Sequence, residues 1–183
     1  MRVAVCDYGA GNVRSVLAAF GRLGARAAVT DDPDDVAGAD LAVLPGVGSA
    51  ATAMARLRER GLDDALRSRV AGGGPTLGIC LGLQLALDES EEDGGVPGLG
   101  LLPGRAVRLR EGRVPRIGWA PVDPGGAAYW FAHSYAADTP AATASSEGVV
   151  AEARRGAFVG VQFHPERSGA AGHRYLAGCL SRA

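Results

Sequence analysis

In the first half of the chain, short apolar runs alternate with stretches whose hydrophobic residues recur every three or four positions. That alternation predicts a parallel sheet covered by helices on both faces. Arg2 to Cys6 reads as a buried strand. After a Gly9-Ala10-Gly11 turn, Val13, Val16, Leu17, Phe20 and Leu23 fall at helical spacing. Arg26 to Thr30 and Leu41 to Leu44 read as the next strands, and residues about 49 to 60 and 62 to 71 as helices. A Gly72-Gly73-Gly74-Pro75 break then precedes a strand at about Thr76 to Ile79.

The second half is richer in strand signals, near Ala106 to Leu109, Tyr129 to Ser134, Thr143 to Ser145 and Val149 to Ala153, with Gly and Pro turns between them. These predict hairpins added to an α/β core. A strand at Phe158 to Phe163 and a helix from about Gly169 to Leu180 complete the pattern. Gly94 to Gly104 reads as a Gly/Pro-rich loop.

Composition narrows the picture. The 183 residues, 47% of them hydrophobic, suffice for one core and predict one domain over 1 to 183. With 19 basic and 20 acidic residues the net charge is −1, which offers no general attraction to nucleic acid or to an anionic membrane. No apolar run approaches the roughly 20 residues that span a bilayer, and Met1 to Val5 lead directly into a strand pattern, so a cytoplasmic location is expected. Small molecules and another protein are the expected partners. All 19 basic residues are Arg, a bias read as genomic and not as a site. Cys6, Cys80 and Cys179 lack metal-ligand spacing and read as free thiols, so neither a metal nor a cofactor is called for.

The sharpest local feature is Gly78-Ile79-Cys80-Leu81-Gly82, a strand followed at once by a helical run. It has the form of a nucleophile elbow with Cys as the nucleophile, where flanking glycines avoid collisions in a strained turn. The start of a helix also favours a thiolate. A nucleophile needs a base, and the only histidines are His133, His164 and His173. His164 is the best placed, ending an apolar strand at the edge where α/β sheets present active groups, with Pro165 helping to stop the strand. Two residues on, Glu166 shares a face with it in an extended chain and can hold its imidazole in one tautomer. Cys6 and Cys179 read as core residues and His173 as solvated. Asp7 reads equally as a ligand-facing carboxylate or a turn residue. A dinucleotide fingerprint at Gly9-Ala10-Gly11, with Asp31 as the ribose acid, fails because Arg14 stands where the third glycine belongs.

Taken together these motifs resemble the class I glutamine amidotransferases and, among them, the glutaminase subunits of the histidine pathway's imidazole glycerol phosphate synthase. The matching blocks are Asp7 to Asn12, Leu44 to Gly48, Leu77 to Gln84, Gly98 to Gly104, Gly118-Trp119, His133-Ser134-Tyr135 and Val161 to Gly169, in that order over nearly the whole chain. The cysteine elbow and His-Pro-Glu mark the superfamily, and the opening block, Pro-Gly-Val-Gly and Gly-Trp mark the branch. The resemblance implies that Cys80 attacks the glutamine side-chain amide, His164 shuttles the proton and Glu166 orients His164. It implies an oxyanion hole from the backbone of Gly46, Val47 and Gly48 and the N–H of Leu81, with Gln84, Glu92, His133, Ser134 and Tyr135 helping to hold glutamine. The glycines at 46 and 48 let a peptide plane turn toward or away from the oxyanion at little steric cost.

The implied partner is a cyclase subunit with a β/α barrel, forming a heterodimer in which ammonia passes to a phosphoribosyl formimino intermediate. Asn12, Trp119 and Arg167 are the candidates for that interface, with Tyr135 as a further exposed aromatic. Two positions depart from the family pattern. Ala120 stands where Asn is usual, which puts in doubt a polar contact near the interface, and Arg167 stands where Lys is usual.

Overall fold

The computed structural model describes residues 1–9 and 12–183, so Ala10 and Gly11 of the predicted turn lie outside the described residues. The first half follows the predicted alternation. Strand β1 (Arg2–Cys6) leads to helix α1 (Val13–Arg22), β2 (Arg26–Thr30), α2 (Pro33–Gly38), β3 (Leu41–Leu44), α3 (Ala50–Glu59), α4 (Leu62–Ala71) and β4 (Thr76–Ile79). Helix α5 (Leu81–Leu85) is little more than one turn. Short β5 (Glu89–Ser90) and β6 (Val96–Pro97) follow, then β7 (Arg105–Arg108), β8 (Arg116–Val122), β9 (Ala127–His133), β10 (Tyr135–Asp138), β11 (Ala142–Ser146), β12 (Val149–Arg155), β13 (Phe158–Val161) and helix α6 (Gly169–Leu180).

Seven strands form the central sheet in the order β11-β12-β13-β4-β3-β1-β2. The five from β13 to β2 are parallel, and β12 and β11 run antiparallel at one margin. One face is covered by α2, α3 and α4, through Val36, Met54, Leu57, Leu62 and Leu66. The other is covered by α1 and α6 and by the β8–β9 hairpin, through Val16, Phe20, Leu176, Ala120, Val122 and Phe131. With both faces covered, β3 and β4 are buried at every position, which is why β3 reads as an unbroken apolar run and β4 shows no alternation of polar and apolar residues. A four-stranded sheet, β10-β7-β5-β6, and the β8–β9 pair are the added β structure.

Some elements differ from the sequence expectation. Helix α2 is short, opened by Asp32, whose side chain accepts the Asp34 N–H at 2.9 Å, and by Pro33 in the first turn. Its six residues carry one buried apolar position, Val36, too few for a periodic signal. Strand β8 was hidden by Gly118 and Pro121. Among the described residues its one strand partner is β9, so a Pro within it breaks no central ladder. The strand expected to reach Phe163 ends at Val161, because its neighbour β4 stops at Ile79 and the chain turns at Cys80, whose N–H still reaches the Val161 carbonyl at 2.7 Å.

Candidate active site

The carboxyl ends of β1, β3, β4 and β13 emerge side by side, and the segments that follow them carry Tyr8, Pro45 to Gly48, Cys80 and Gln162 to Glu166. This edge is where open α/β sheets bind ligands. Cys80 sits at φ 54°, ψ −105°, a backbone conformation that L residues avoid. It is held there by close packing around the two flanking glycines. A Cβ on Gly82 would run into the Leu44 carbonyl, and one on Gly78 would lie 2.8 Å from the Gly82 backbone and the Phe158 ring. The sulfur is thereby fixed at the strand end, 3.9 Å from the Ala132 carbonyl oxygen and 3.5 Å from Gln162 Nε2.

His164 Nδ1 lies 2.9 Å from Glu166 Oε1, and the Glu166 side chain is only 2% exposed. Nε2 is thus the nitrogen free to exchange a proton with Cys80. Burial disfavours charge on His164, but the Cys80 sulfur and the Glu166 carboxylate outweigh it and raise the imidazole to about 10. The two residues meet for a reason other than strand alternation. Pro165 to Arg167 form a tight helical turn, with Pro165 at its first position, and the turn folds Glu166 back under His164.

The remaining titratable candidates separate clearly. Burial pushes the Cys6 thiol up to about 12 and the Cys179 thiol up to about 11, so both stay protonated at neutral pH. Burial also lowers His133 to about 4, helped by the Arg116 and His164 charges, while its Nδ1 lies 2.8 Å from the Tyr135 carbonyl. His133 is therefore neutral. His173 is exposed on α6. Asp7 accepts the Gly9 N–H at 2.8 Å, the geometry of a turn residue.

A cavity of about 320 Å³ opens beside the sulfur, lined by Val47, Gly48, Cys80, Leu81, Gln84, Glu92, His133, Ser134 and Tyr135 together with Pro115, Ile117 and Ala132. Of the residues expected around glutamine, only Gly46 stands apart. It is buried behind the cavity, where a Cβ would lie 2.6 Å from Leu81 Cβ and 2.7 Å from the Tyr8 hydroxyl. Gly48 adopts φ +104° with open space around it. Glu92 reaches the cavity wall, but its Oε2 accepts the Ala50 N–H at 2.8 Å at the start of α3.

Of the interface candidates, Trp119 is 56% exposed and Asn12 and Arg167 are exposed. Ile117 (62% exposed), Trp119 and Pro121 form an outward apolar stripe on β8, continued across the hairpin by Trp130, whose ring lies 6.0 Å from that of Trp119 and 5.5 Å from the Arg167 guanidinium carbon. Tyr135 is half-buried, not exposed, because it starts β10 against the Gln84 side chain. Ala120 points inward and is buried, so its departure from the usual Asn falls on the core side of β8 and not on the exposed stripe.

The family profile described as "Glutamine amidotransferase class-I" matches residues 4–183. The chain belongs to the class I glutamine amidotransferases. Among curated amidotransferases of this family, "Imidazole glycerol phosphate synthase subunit HisH" of Symbiobacterium thermophilum is 46% identical over 96% of this chain and 92% of that protein. The protein of the same name from Methanothermobacter thermautotrophicus is 41% identical over 93% of each. A solved structure described as "Crystal structure of glutamine amidotransferase" superposes with a TM-score of 0.82 at 24% identity, covering 98% of both chains, which shows the shared amidotransferase fold.

Three contributors escaped the sequence reading. Gln162 contacts the Cys80 sulfur, the Tyr8 hydroxyl donates to the Pro45 carbonyl, and the Ser168 hydroxyl donates to the His164 carbonyl at 2.6 Å. The one available signal was Gln162 itself, a polar residue within an otherwise apolar run two positions before His164.

Proposed function

We propose that this chain is the glutaminase subunit of imidazole glycerol phosphate synthase. It hydrolyses glutamine to glutamate and ammonia, and the ammonia passes to a cyclase subunit that makes imidazole glycerol phosphate and aminoimidazole carboxamide ribotide in histidine biosynthesis. The observation that carries the reading is that Cys80, on the cavity wall, and His164, which its sulfur perturbs, follow the carboxyl ends of adjacent strands, β4 and β13. The names borne by relatives at 46% and 41% identity support the pathway. We read residues 1 to 183 as one amidotransferase domain.

Glutamine enters the 320 Å³ cavity with its carboxamide carbon over Cys80 Sγ. Sulfur attack forms the C–S bond and moves the carbonyl electron pair onto oxygen, which is met by the N–H of Leu81 and by the backbone of Val47 and Gly48 at the cavity wall. His164, holding a proton across the neutral range, gives it to the departing nitrogen, so that C–N cleavage releases ammonia and leaves a γ-glutamyl thioester. Water then attacks the thioester, its proton passes to His164, and breaking the C–S bond frees glutamate. Glu166 keeps the imidazole oriented, with Nδ1 tied down and Nε2 toward the sulfur. Gln84, Glu92, His133, Ser134 and Tyr135 form the wall that holds the amino-acid end of the substrate.

Ammonia released into water at neutral pH is mostly protonated and no longer a nucleophile, so a covered exit is required. The apolar stripe of Ile117, Trp119 and Pro121, continued through Trp130 to Arg167, is the surface on which a β/α-barrel cyclase docks to form the heterodimer, and exposed Asn12 is a further contact candidate. The deciding experiment reconstitutes the complex with Cys80→Ala. Glutamine-dependent synthesis of imidazole glycerol phosphate is abolished, while synthesis from added ammonium salts persists. Loss of both, or of neither, rejects the reading.

A further inference from the structure

We infer that Gln162 is a working part of the nucleophile: its side-chain N–H donates to the Cys80 sulfur and stabilises the negative charge that the sulfur carries when it attacks. This rests on Cys80 being the nucleophile. The direction of the amide follows from a chain of fixed donors. The carbonyl oxygen of Tyr135 can only accept, so the Gln84 atom 2.7 Å from it is the amide nitrogen. That same nitrogen directs its second hydrogen to the Gln162 oxygen at 3.1 Å. With its oxygen so engaged, Gln162 turns its own nitrogen to Cys80 Sγ at 3.5 Å. Gln162 is fully buried, just past the end of β13, so no water competes for that donor.

The other neighbour of the sulfur makes the donor necessary. The Ala132 carbonyl oxygen, 3.9 Å from Sγ, can accept from a thiol but faces a thiolate with its own lone pairs. Among the described neighbours, Gln162 supplies an uncharged N–H to the anion, and unlike His164 it keeps its hydrogen through the reaction. The sulfur loses its charge on forming the thioester and regains it as leaving group, so the same contact acts in both half-reactions.

The test uses the full chain with its cyclase partner and the apolar near-isostere Gln162→Met. The first readout is the rate at which iodoacetamide alkylates Cys80 at neutral pH, followed by peptide mass spectrometry against Cys6 and Cys179 as internal references. The second is the split between kcat and KM for glutamine hydrolysis. Removing a hydrogen bond to a charged group should slow Cys80 alkylation and kcat by roughly ten- to a hundredfold. KM and partner affinity should stay unchanged. Alkylation at the wild-type rate, or a change confined to KM, overturns the proposal. Should the variant fail to fold, the wild type still decides. The Gln162 side-chain amide proton resonance should move along the same pH curve as Cys80 alkylation, and an amide shift that ignores that curve overturns the proposal equally. If wild-type Cys80 reacts no faster than Cys6 and Cys179, the nucleophile assignment itself fails, an outcome distinct from a wild-type-like Gln162→Met.

Discussion

The main-chain N–H of His164 donates to the carbonyl of Trp130 at 2.8 Å, so the candidate base hangs from the hairpin that carries the exposed apolar stripe. Ser168, almost fully buried, closes the same seam. It accepts the Trp130 N–H at 2.9 Å and donates to the His164 carbonyl at 2.6 Å. A displacement of β9 therefore reaches His164 through main-chain bonds alone.

Ser168→Ala should loosen that seam. The His164 carbonyl keeps the Arg167 N–H at 3.0 Å, but the Trp130 N–H loses its acceptor. One unsatisfied buried donor costs roughly 1–3 kcal/mol. Urea unfolding should register a loss of that size, and glutamine hydrolysis should fall in kcat more than in KM because His164 is displaced while the cavity wall is untouched. Wild-type stability together with wild-type kcat would show that the seam carries no strain to His164.

The pH profile of glutamine hydrolysis should have its falling limb near pH 10. His164 is raised from 6.5 to about 10, so it keeps its proton across the neutral range and loses it as pH rises through the higher value. The same sign governs stability. The favourable contribution of His164 is fully present below about 6.5 and is lost as pH climbs through about 10. Glu166→Gln removes one of the groups that raise the imidazole, so it should move the limb to lower pH. His133, lowered to about 4, protonates only in acid and does not contribute to this limb. A limb left in place by Glu166→Gln would assign it to another group.

Trp119→Ala tests the docking face. An aromatic anchor at the centre of an interface is typically worth about 2 kcal/mol or more, close to thirtyfold in Kd, whereas an exposed residue contributes less than about 1 kcal/mol to its own fold. Titration calorimetry with the cyclase should therefore show weakened binding while the isolated subunit melts as the wild type does. Unchanged affinity would remove Trp119 from the interface.

Much of this was legible in the sequence because it depends on local patterns. The inner strands β1 and β3 were readable because burial on both faces makes them nearly continuous apolar runs, and Cys80 was readable because a strained elbow demands small residues two positions to either side. The Gln162 contact was not. Its partner sulfur is 82 residues away in the chain, and one glutamine in an apolar run reads equally as an interruption. The His164–Glu166 pairing was anticipated for the wrong local geometry, since a tight turn at Pro165 brings the same two side chains together that an extended strand would. The interior placement of Ala120 was hidden along with β8, because Gly118 and Pro121 mask the alternation that tells the two faces of a strand apart.

Strands β4 and β13 are direct neighbours in register, Ile79 opposite Val161, although most of the hairpin-bearing region separates them in sequence. The geometry between sulfur and imidazole is thus set by two adjacent rungs of one ladder and not by the chain that joins them. The part of that joining arm that touches neither residue, such as the loop at 110 to 114, can in consequence change length between relatives that serve different synthases without moving sulfur or imidazole, while β9 must keep its Trp130 bond to His164. An ancestral amidotransferase could acquire a new client by remodelling that arm while inheriting its chemistry intact.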